Sequence, residues 1–143
     1  MLGYFNNQAA TESSFNSTGW FMSGDLGIAD QAGNLRIEGR LKDLIIRGGF
    51  NVFPRDVEDA LLEHPAVAMA GVVGRPDKAK GEEVVAFVSL KPGVETTEDE
   101  LIAFSKSKLS AYKYPREIHI VPAVPLTPVM KVDRKVLRGM IPK

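Results

Sequence analysis

The chain has 143 residues, 44% hydrophobic and 25% charged, with no cysteine, the composition of one ordinary globular domain. A chain of this size buries roughly two-thirds of the surface its unfolded form exposes, so a core forms without disulfides or metal. The absence of thiols excludes cysteine nucleophiles and thiolate metal sites. Formal net charge is zero, yet residues 1–100 carry 16 acidic and 9 basic side chains while residues 101–143 carry 2 and 9. Such a basic tail suits either a polyanion, including nucleic acid or nucleotide phosphates, or a solvated helix face. The longest apolar runs, such as 66–73, fall well short of the roughly 20 residues a membrane span needs. MLGYFNNQAATESSF has neither a basic nor an apolar leader region, so no secretory signal is read and a cytoplasmic setting is expected.

The first clear element is GWFMSGDLGIADQAGNLRIEG, in which two extended stretches flank the turn cluster Asp30, Gln31, Ala32, Gly33 and Asn34. This predicts a β-ribbon, which is marginal alone and has to pack on something else. A short apolar strand at 44–46 follows, then Gly48 and Gly49. Pro54 suits a first helical turn, Asp56 and Glu58 suit its positive end, and Pro65 stops the helix. Val57, Leu61 and Leu62 form its apolar stripe.

A strand at 66–73, a GRPDKAKGEE loop and a strand at 84–90 come next. Thr97 with Glu100 three residues later predicts a capping box, opening a helix to about Ser110 that is buried through Leu101, Ile102 and Phe104. EIHIV alternates as a third strand with Ile118 and Ile120 on one face, and VDRKVLRGM closes the chain as a short helix. The expected fold is α+β: a small domain with a three-stranded sheet and packed helices, preceded by the β-ribbon.

Generic chemical motifs are scarce. There is no GxxxxGK phosphate loop and no metal-ligand cluster. The two histidines are isolated, His64 at a helix end and His119 as an outward strand residue. The five methionines are scattered as core packing scatters them.

Residues 19–59 are more specific. GWFMSGDLG resembles the GW(x)xTGDxG segment of the adenylate-forming superfamily of acyl-CoA synthetases, peptide-synthetase adenylation domains and luciferases. GRLKDLIIRGGFNVFPRDVE is similar to its hinge segment, and PLTPVMKVDRKVLR to its C-terminal lysine segment, in the family's order and separations. GYFNNQAAT resembles the stretch that precedes them, so the likeness spans essentially the whole chain. The family's Ser/Thr/Gly-rich ATP-phosphate loop and its acyl pocket have no counterpart here. The resemblance therefore implies a C-terminal piece of a longer synthetase: residues 1–39 the last ribbon of the large adenylation domain, 40–46 the hinge, and 47–143 the small mobile domain.

Carried over residue by residue, the resemblance implies that Asp25 accepts hydrogen bonds from the adenylate ribose, a task suited to an acceptor-only carboxylate, and that Arg40 contacts the nucleotide. Lys42 matches the hinge position, with Asp43 beside it. Gly48 and Gly49 match the loop lining the pantetheine tunnel, although a plain tight turn accounts for the pair as well. Tyr112 and Arg116 lie where related ligases contact the CoA nucleotide, and Lys80 is a further phosphate contact; Tyr112 serves equally as a core residue. Lys131 matches the lysine that reaches the carboxylate and α-phosphate during adenylation, with Met130 where the motif usually has glycine. No metal-binding residue is assigned.

The resemblance implies an acid–thiol ligase as the full-length parent, with ATP (with Mg2+) and CoA as substrates and nothing tightly bound by the fragment. Its partners are the large N-terminal domain, the carboxylic acid, ATP and CoA, with no nucleic acid and no membrane span. The hinge is most similar to those of fatty-acid and aryl-acid CoA ligases. The isolated chain is expected to be inactive. A free-standing regulatory or partner-binding module of the same fold, and a nucleic-acid binder using the basic tail, are the alternatives.

Overall fold

The computed structural model describes residues 1–142, which form two compact units dividing between Lys42 and Asp43. In the first unit, Asn7 caps the short helix α1 (Gln8–Ser13) by accepting the Ala10 N–H at 2.9 Å. The predicted ribbon is present as antiparallel β1 (Asp25–Ala29) and β2 (Leu35–Arg40), with a register shift between Leu26 and Gly27. Its turn is built by Asp30, whose carboxylate accepts the backbone N–H groups of Ala32 at 2.9 Å and Asn34 at 2.8 Å, and the Asn34 amide at 2.8 Å. The Asn34 side chain foremost, then the backbone donors, hold this carboxyl below its ordinary range. No residue of 1–42 is buried, and Trp20, Met22, Ile28, Leu35 and Ile37 are exposed.

The second unit carries the core. Its strands are β3 (Ile45–Arg47), β4 (Phe50–Val52), β5 (Val67–Asp77), β6 (Gly81–Leu90) and β7 (Glu117–Ile120), and its helices are α2 (Pro54–Leu62), α3 (Glu98–Lys108) and α4 (Arg134–Met140). The sheet thus has five strands rather than three. The β3–β4 hairpin adds two, because Gly48 and Gly49 turn the chain tightly enough for residues 50–52 to pair back on 45–47. β5 and β6 also run longer than expected. Most of the GRPDKAKGEE stretch is strand, with a turn only at 78–80.

β6 is the central strand. β5 pairs along one edge antiparallel; the other edge is shared by β3, meeting it at Gly81, and by β7, which runs parallel to it over 85–88. Successive β6 side chains enter opposite faces. Val84, Ala86 and Val88 join Ile45, Val57, Leu61, Leu101 and Ile118 in the larger core, while Val85 and Phe87 join Val73 and Leu137 in a smaller one. α2 and α3 cover the first face and α4 the second. α4 comes close because β5 has glycine at position 71, where a Cβ would lie 2.6 Å from a Leu137 methyl.

Two side-chain expectations are corrected. Leu62 is 45% exposed, so the α2 stripe ends at Leu61. His119 does not point outward: its ring lies 5.1 Å from that of Phe87, half-buried on the α4 face, with Nε2 2.7 Å from Glu117. Ile118 takes the inward place on the larger core, so its neighbour has to face the other way.

Four cations of the basic tail meet carboxylates of the acidic part of this unit. Lys108 pairs with Glu63, Lys113 with Asp56, Arg134 with Glu58 and Arg138 with Asp43. No described helix is long and apolar enough to cross a membrane.

The α3 capping box forms as expected: Thr97 Oγ1 accepts the Glu100 N–H at 3.2 Å and the Glu100 carboxylate accepts the Thr97 N–H at 2.9 Å. Thr97→Ala is expected to cost about 1 kcal/mol in urea unfolding. The donors at Thr97 and Thr96 hold the Glu100 carboxyl below its ordinary value of 4.5, so its contribution is complete above that value and lost as pH falls through the depressed range. The stability difference between wild type and Glu100→Gln is therefore expected to shrink on acidification, measured by parallel denaturation series.

Candidate functional site

Ribbon pairing brings the two predicted nucleotide contacts together. Asp25 opens β1, Arg40 closes β2, and the register sets them opposite each other with Arg40 Nε 2.6 Å from Asp25 Oδ1. The side chains are 30% and 55% exposed, so the pair contributes at most about 1 kcal/mol. A carboxylate offers about four acceptor positions, so this contact leaves Asp25 able to accept hydroxyl donors. Ser23, Gly24, Arg40, Leu41 and Lys42 line a cleft of about 290 Å3 beside it. Lys42 sits in a single 3-10 turn, Leu41–Asp43. Asp43, the first residue of the second unit, lies 3.0 Å from Arg138 Nη2 of α4.

In the second unit, Gly48, Gly49, Lys80 and Tyr112 converge. Gly48 and Gly49 form the β3–β4 turn with φ of +57° and +83°, the paired left-handed geometry of a two-residue hairpin that glycine adopts without strain. A Cβ at either would meet nothing within 4 Å, so the turn is demanded by its backbone and its outer surface is open. The Gly48 N–H donates to the Lys80 carbonyl at 2.8 Å, joining this turn to the β5–β6 turn. Lys80 Nζ lies 3.2 Å from Glu83. Tyr112 stacks on Phe50 of β4, with ring centroids 4.8 Å apart and planes 24° apart. Arg116 instead lays its guanidinium over Tyr114, 4.0 Å from the ring centroid, with its side chain exposed.

Lys131 is exposed on a separate turn. The Thr127 N–H donates to the Lys131 carbonyl at 2.7 Å, the Lys131 N–H donates to Thr127 Oγ1 at 3.2 Å, and the Met130 N–H donates to the Thr127 carbonyl at 2.9 Å. This closure forces Met130 to φ +58°, the left-handed region that favours glycine. The turn is anchored from behind by Arg134 at the start of α4, which donates to both Glu58 oxygens at 2.6 and 2.8 Å and to the Val72 carbonyl at 3.3 Å. Burial pushes the Glu58 carboxyl above its ordinary range, with Arg134 opposing. The pair therefore serves to place α4 more than to add stability.

Sequence reasoning missed Arg47, Glu82, Glu83 and Phe50. Arg47 and Glu83 are 4% and 5% exposed, and the Glu82 carboxylate accepts the Ile46 N–H at 2.7 Å. The available signal was charge at positions adjoining apolar runs, in LIIRGG and GEEVVAFV. Such residues are rarely buried unless paired.

Since Met130 is 76% exposed, its conformation is demanded by the turn and not by packing. Met130→Gly is expected to be neutral or stabilising by up to about 1 kcal/mol, relief of left-handed strain being offset by lost chain entropy. Met130→Val places a β-branched residue there and is expected to destabilise by about 1–2 kcal/mol. Thermal denaturation of the three chains checks the order.

The family model described as "AMP-binding enzyme C-terminal domain" matches residues 56–131. A long-chain-fatty-acid–CoA ligase from Bacillus subtilis (strain 168) is 42% identical over 94% of this chain and 24% of its own length. A mitochondrial medium-chain acyl-CoA ligase from Danio rerio is 42% identical over 96% of this chain and 23% of its own. Among solved structures, o-succinylbenzoate CoA synthetase from Bacillus subtilis in complex with its acyl-adenylate intermediate aligns with a TM-score of 0.86 and 40% identity, over 95% of this chain and 28% of that one. The chain spans about a quarter of the length of the curated relatives it matches. The family model covers more than half of the chain, and the chain belongs to the AMP-binding enzyme C-terminal domain family.

Proposed function

We propose that this chain is the C-terminal part of an ATP-dependent acyl-CoA ligase. In the first half-reaction a substrate carboxylate oxygen attacks the α-phosphorus of ATP, forming the acyl-adenylate and releasing pyrophosphate. In the second, the CoA sulfur, having lost its proton, attacks the acyl carbon and AMP leaves. The observation that carries the reading is the convergence of Gly48, Gly49, Lys80 and Tyr112 on one face of the second unit, an open glycine turn beside a cation and a stacked ring. An acyl-thiol cofactor bearing phosphates and an adenine needs those features: close backbone approach, positive charge and an aromatic surface.

Asp25 holds the ribose hydroxyls and Arg40 the nucleotide in this reading. Lys131 stabilises the charge of the displacement as a compact cation, and Arg116 adds a phosphate contact for CoA. Mg2+ accompanies ATP, nothing is bound tightly by the chain alone, and the setting is the cytoplasm. A large N-terminal domain supplies the acyl pocket and the remaining ATP contacts; the exposed Trp20, Met22, Ile28, Leu35 and Ile37 of the first unit suit such a covering body. The acid itself, fatty or aromatic, is selected by that domain. The chain alone is accordingly expected to release no acid-dependent pyrophosphate; turnover in the range of roughly 1–1,000 per second would overturn this.

Lys131 supplies the decisive test. In the full-length ligase, Lys131→Ala is expected to slow adenylation about a hundred- to a thousand-fold, the effect of losing one preorganised electrostatic contact. Conversion of preformed acyl-adenylate and CoA should be largely spared. Lys135→Ala, in the same basic segment, is the control and should behave nearly as wild type. Intact adenylation in Lys131→Ala, or equal loss of both steps, removes Lys131 from the reaction.

Lys42 and Asp43 form the hinge about which the second unit changes orientation between the half-reactions. Proline fixes φ and removes an N–H, so Lys42→Pro is expected to retain adenylation and lose thioester formation, with thermal denaturation confirming the fold.

A further inference from the structure

The hairpin carrying Gly48 and Gly49 is weakly joined to the sheet by backbone. β3 has one register partner on β6, Arg47 opposite Gly81, and the Gly48 N–H reaches the Lys80 carbonyl. Side chains supply the rest. Glu82 and Glu83 are adjacent on β6 and so leave it on opposite faces, yet both grip β3. Glu82 accepts the Ile46 N–H at 2.7 Å, and Glu83 faces the Arg47 guanidinium, 2.6 Å from Nε and accepting from Nη2 at 3.1 Å. The far side of the same guanidinium donates from Nη1 to the carbonyls of Ala111 at 3.2 Å and Tyr112 at 2.9 Å. Glu83 is itself held by the Val84 N–H at 3.0 Å and by Lys80 Nζ at 3.2 Å. One buried ion pair therefore touches the hairpin, the β5–β6 turn and the loop bearing Tyr112.

We propose that Arg47 is a positioning residue for the thiol-acceptor half-reaction: through Glu83 and the Ala111 and Tyr112 carbonyls it holds the Tyr112 ring in register with the Gly48–Gly49 turn. This inference rests on the proposed CoA-binding reading of those residues. Arg47 does not touch the cofactor, being 4% exposed. Its place in the register is what matters. It immediately precedes Gly48, and its β4 partner Phe50 stacks on the Tyr112 ring, so backbone and ring of Tyr112 are held from the same rung of the hairpin. The planar fork suits the task because it presents donors to a carboxylate on one side and to carbonyls on the other, which an ammonium cannot do at once. A buried pair of this kind contributes little net stability, since desolvation offsets the attraction. Fixing the relative placement of three segments is a use that does not require it to be stabilising.

The test uses the full-length ligase, with the two half-reactions measured separately: acid-dependent pyrophosphate release, and conversion of preformed acyl-adenylate with varied CoA. Arg47→Met is expected to leave adenylation within about twofold while lowering kcat/KM for CoA by roughly ten- to a hundred-fold, the cost typical of a misplaced binding group. Arg47→Lys, which keeps the charge opposite Glu83 but loses the fork, should fall between the two and decides the matter should Arg47→Met fail to fold. A purely structural role predicts equal loss in both half-reactions together with a lower Tm, and that result, or wild-type CoA kinetics in Arg47→Lys, overturns the proposal. Gly48→Val separates this failure from failure of the underlying reading. Unaltered CoA kinetics in Gly48→Val removes the glycine turn from the CoA site, whereas impaired kinetics there with normal kinetics in Arg47→Lys removes Arg47 alone.

Discussion

A strand buried on both faces has to be covered twice, and in this chain that strand is β6. Its run of Val84, Val85, Ala86, Phe87 and Val88 offers no polar face to water, so α2 and α3 close one side and α4 the other. Much else follows from that requirement. The C-terminal segment has to return across the sheet to deliver Leu137 into the smaller core, and the turn bearing Lys131 lies on its route. Gly71 on β5 is the local concession, since any side chain there would push Leu137 away.

The polar beginning of β6 is the counterpart of its apolar middle. Gly81, Glu82 and Glu83 lie where the β3–β4 hairpin, the turn at 78–80 and the Tyr112 loop meet, and here carboxylates replace the ladder bonds that β3 lacks. A backbone ladder tolerates side-chain change at each rung, whereas this junction hangs on particular charged groups in fixed rotamers.

The charge division between the two parts of the sequence has a structural reason. Arg134, Arg138, Lys113 and Lys108 meet Glu58, Asp43, Asp56 and Glu63, so the late basic segment folds back over the early acidic one. These pairs differ in consequence. Lys108–Glu63 is well exposed and contributes little, while Arg134–Glu58 is sequestered against β5 and fixes how α4 enters. Four of the late segment's cations are thus engaged within the unit.

Elements whose signals are local were legible from the amino-acid order alone: the Asp30–Asn34 ribbon turn, Pro54 opening α2 and the Thr97–Glu100 box. Each rests on residues a few positions apart, where backbone geometry and hydrogen-bond chemistry leave few choices. The β3–β4 hairpin, the inward turn of His119 over Phe87, the exposure of Leu62 and the burial of Arg47 on Glu83 were not legible. The hairpin is local, but strands of three residues carry too short a pattern to announce themselves; the other three are settled by partners far along the chain, and a charge beside an apolar run has no local pattern that distinguishes solvent from core. Met130 was not legible for another reason: the closure of Thr127 on Lys131, four residues apart, imposes a left-handed backbone against the preference of its own side chain.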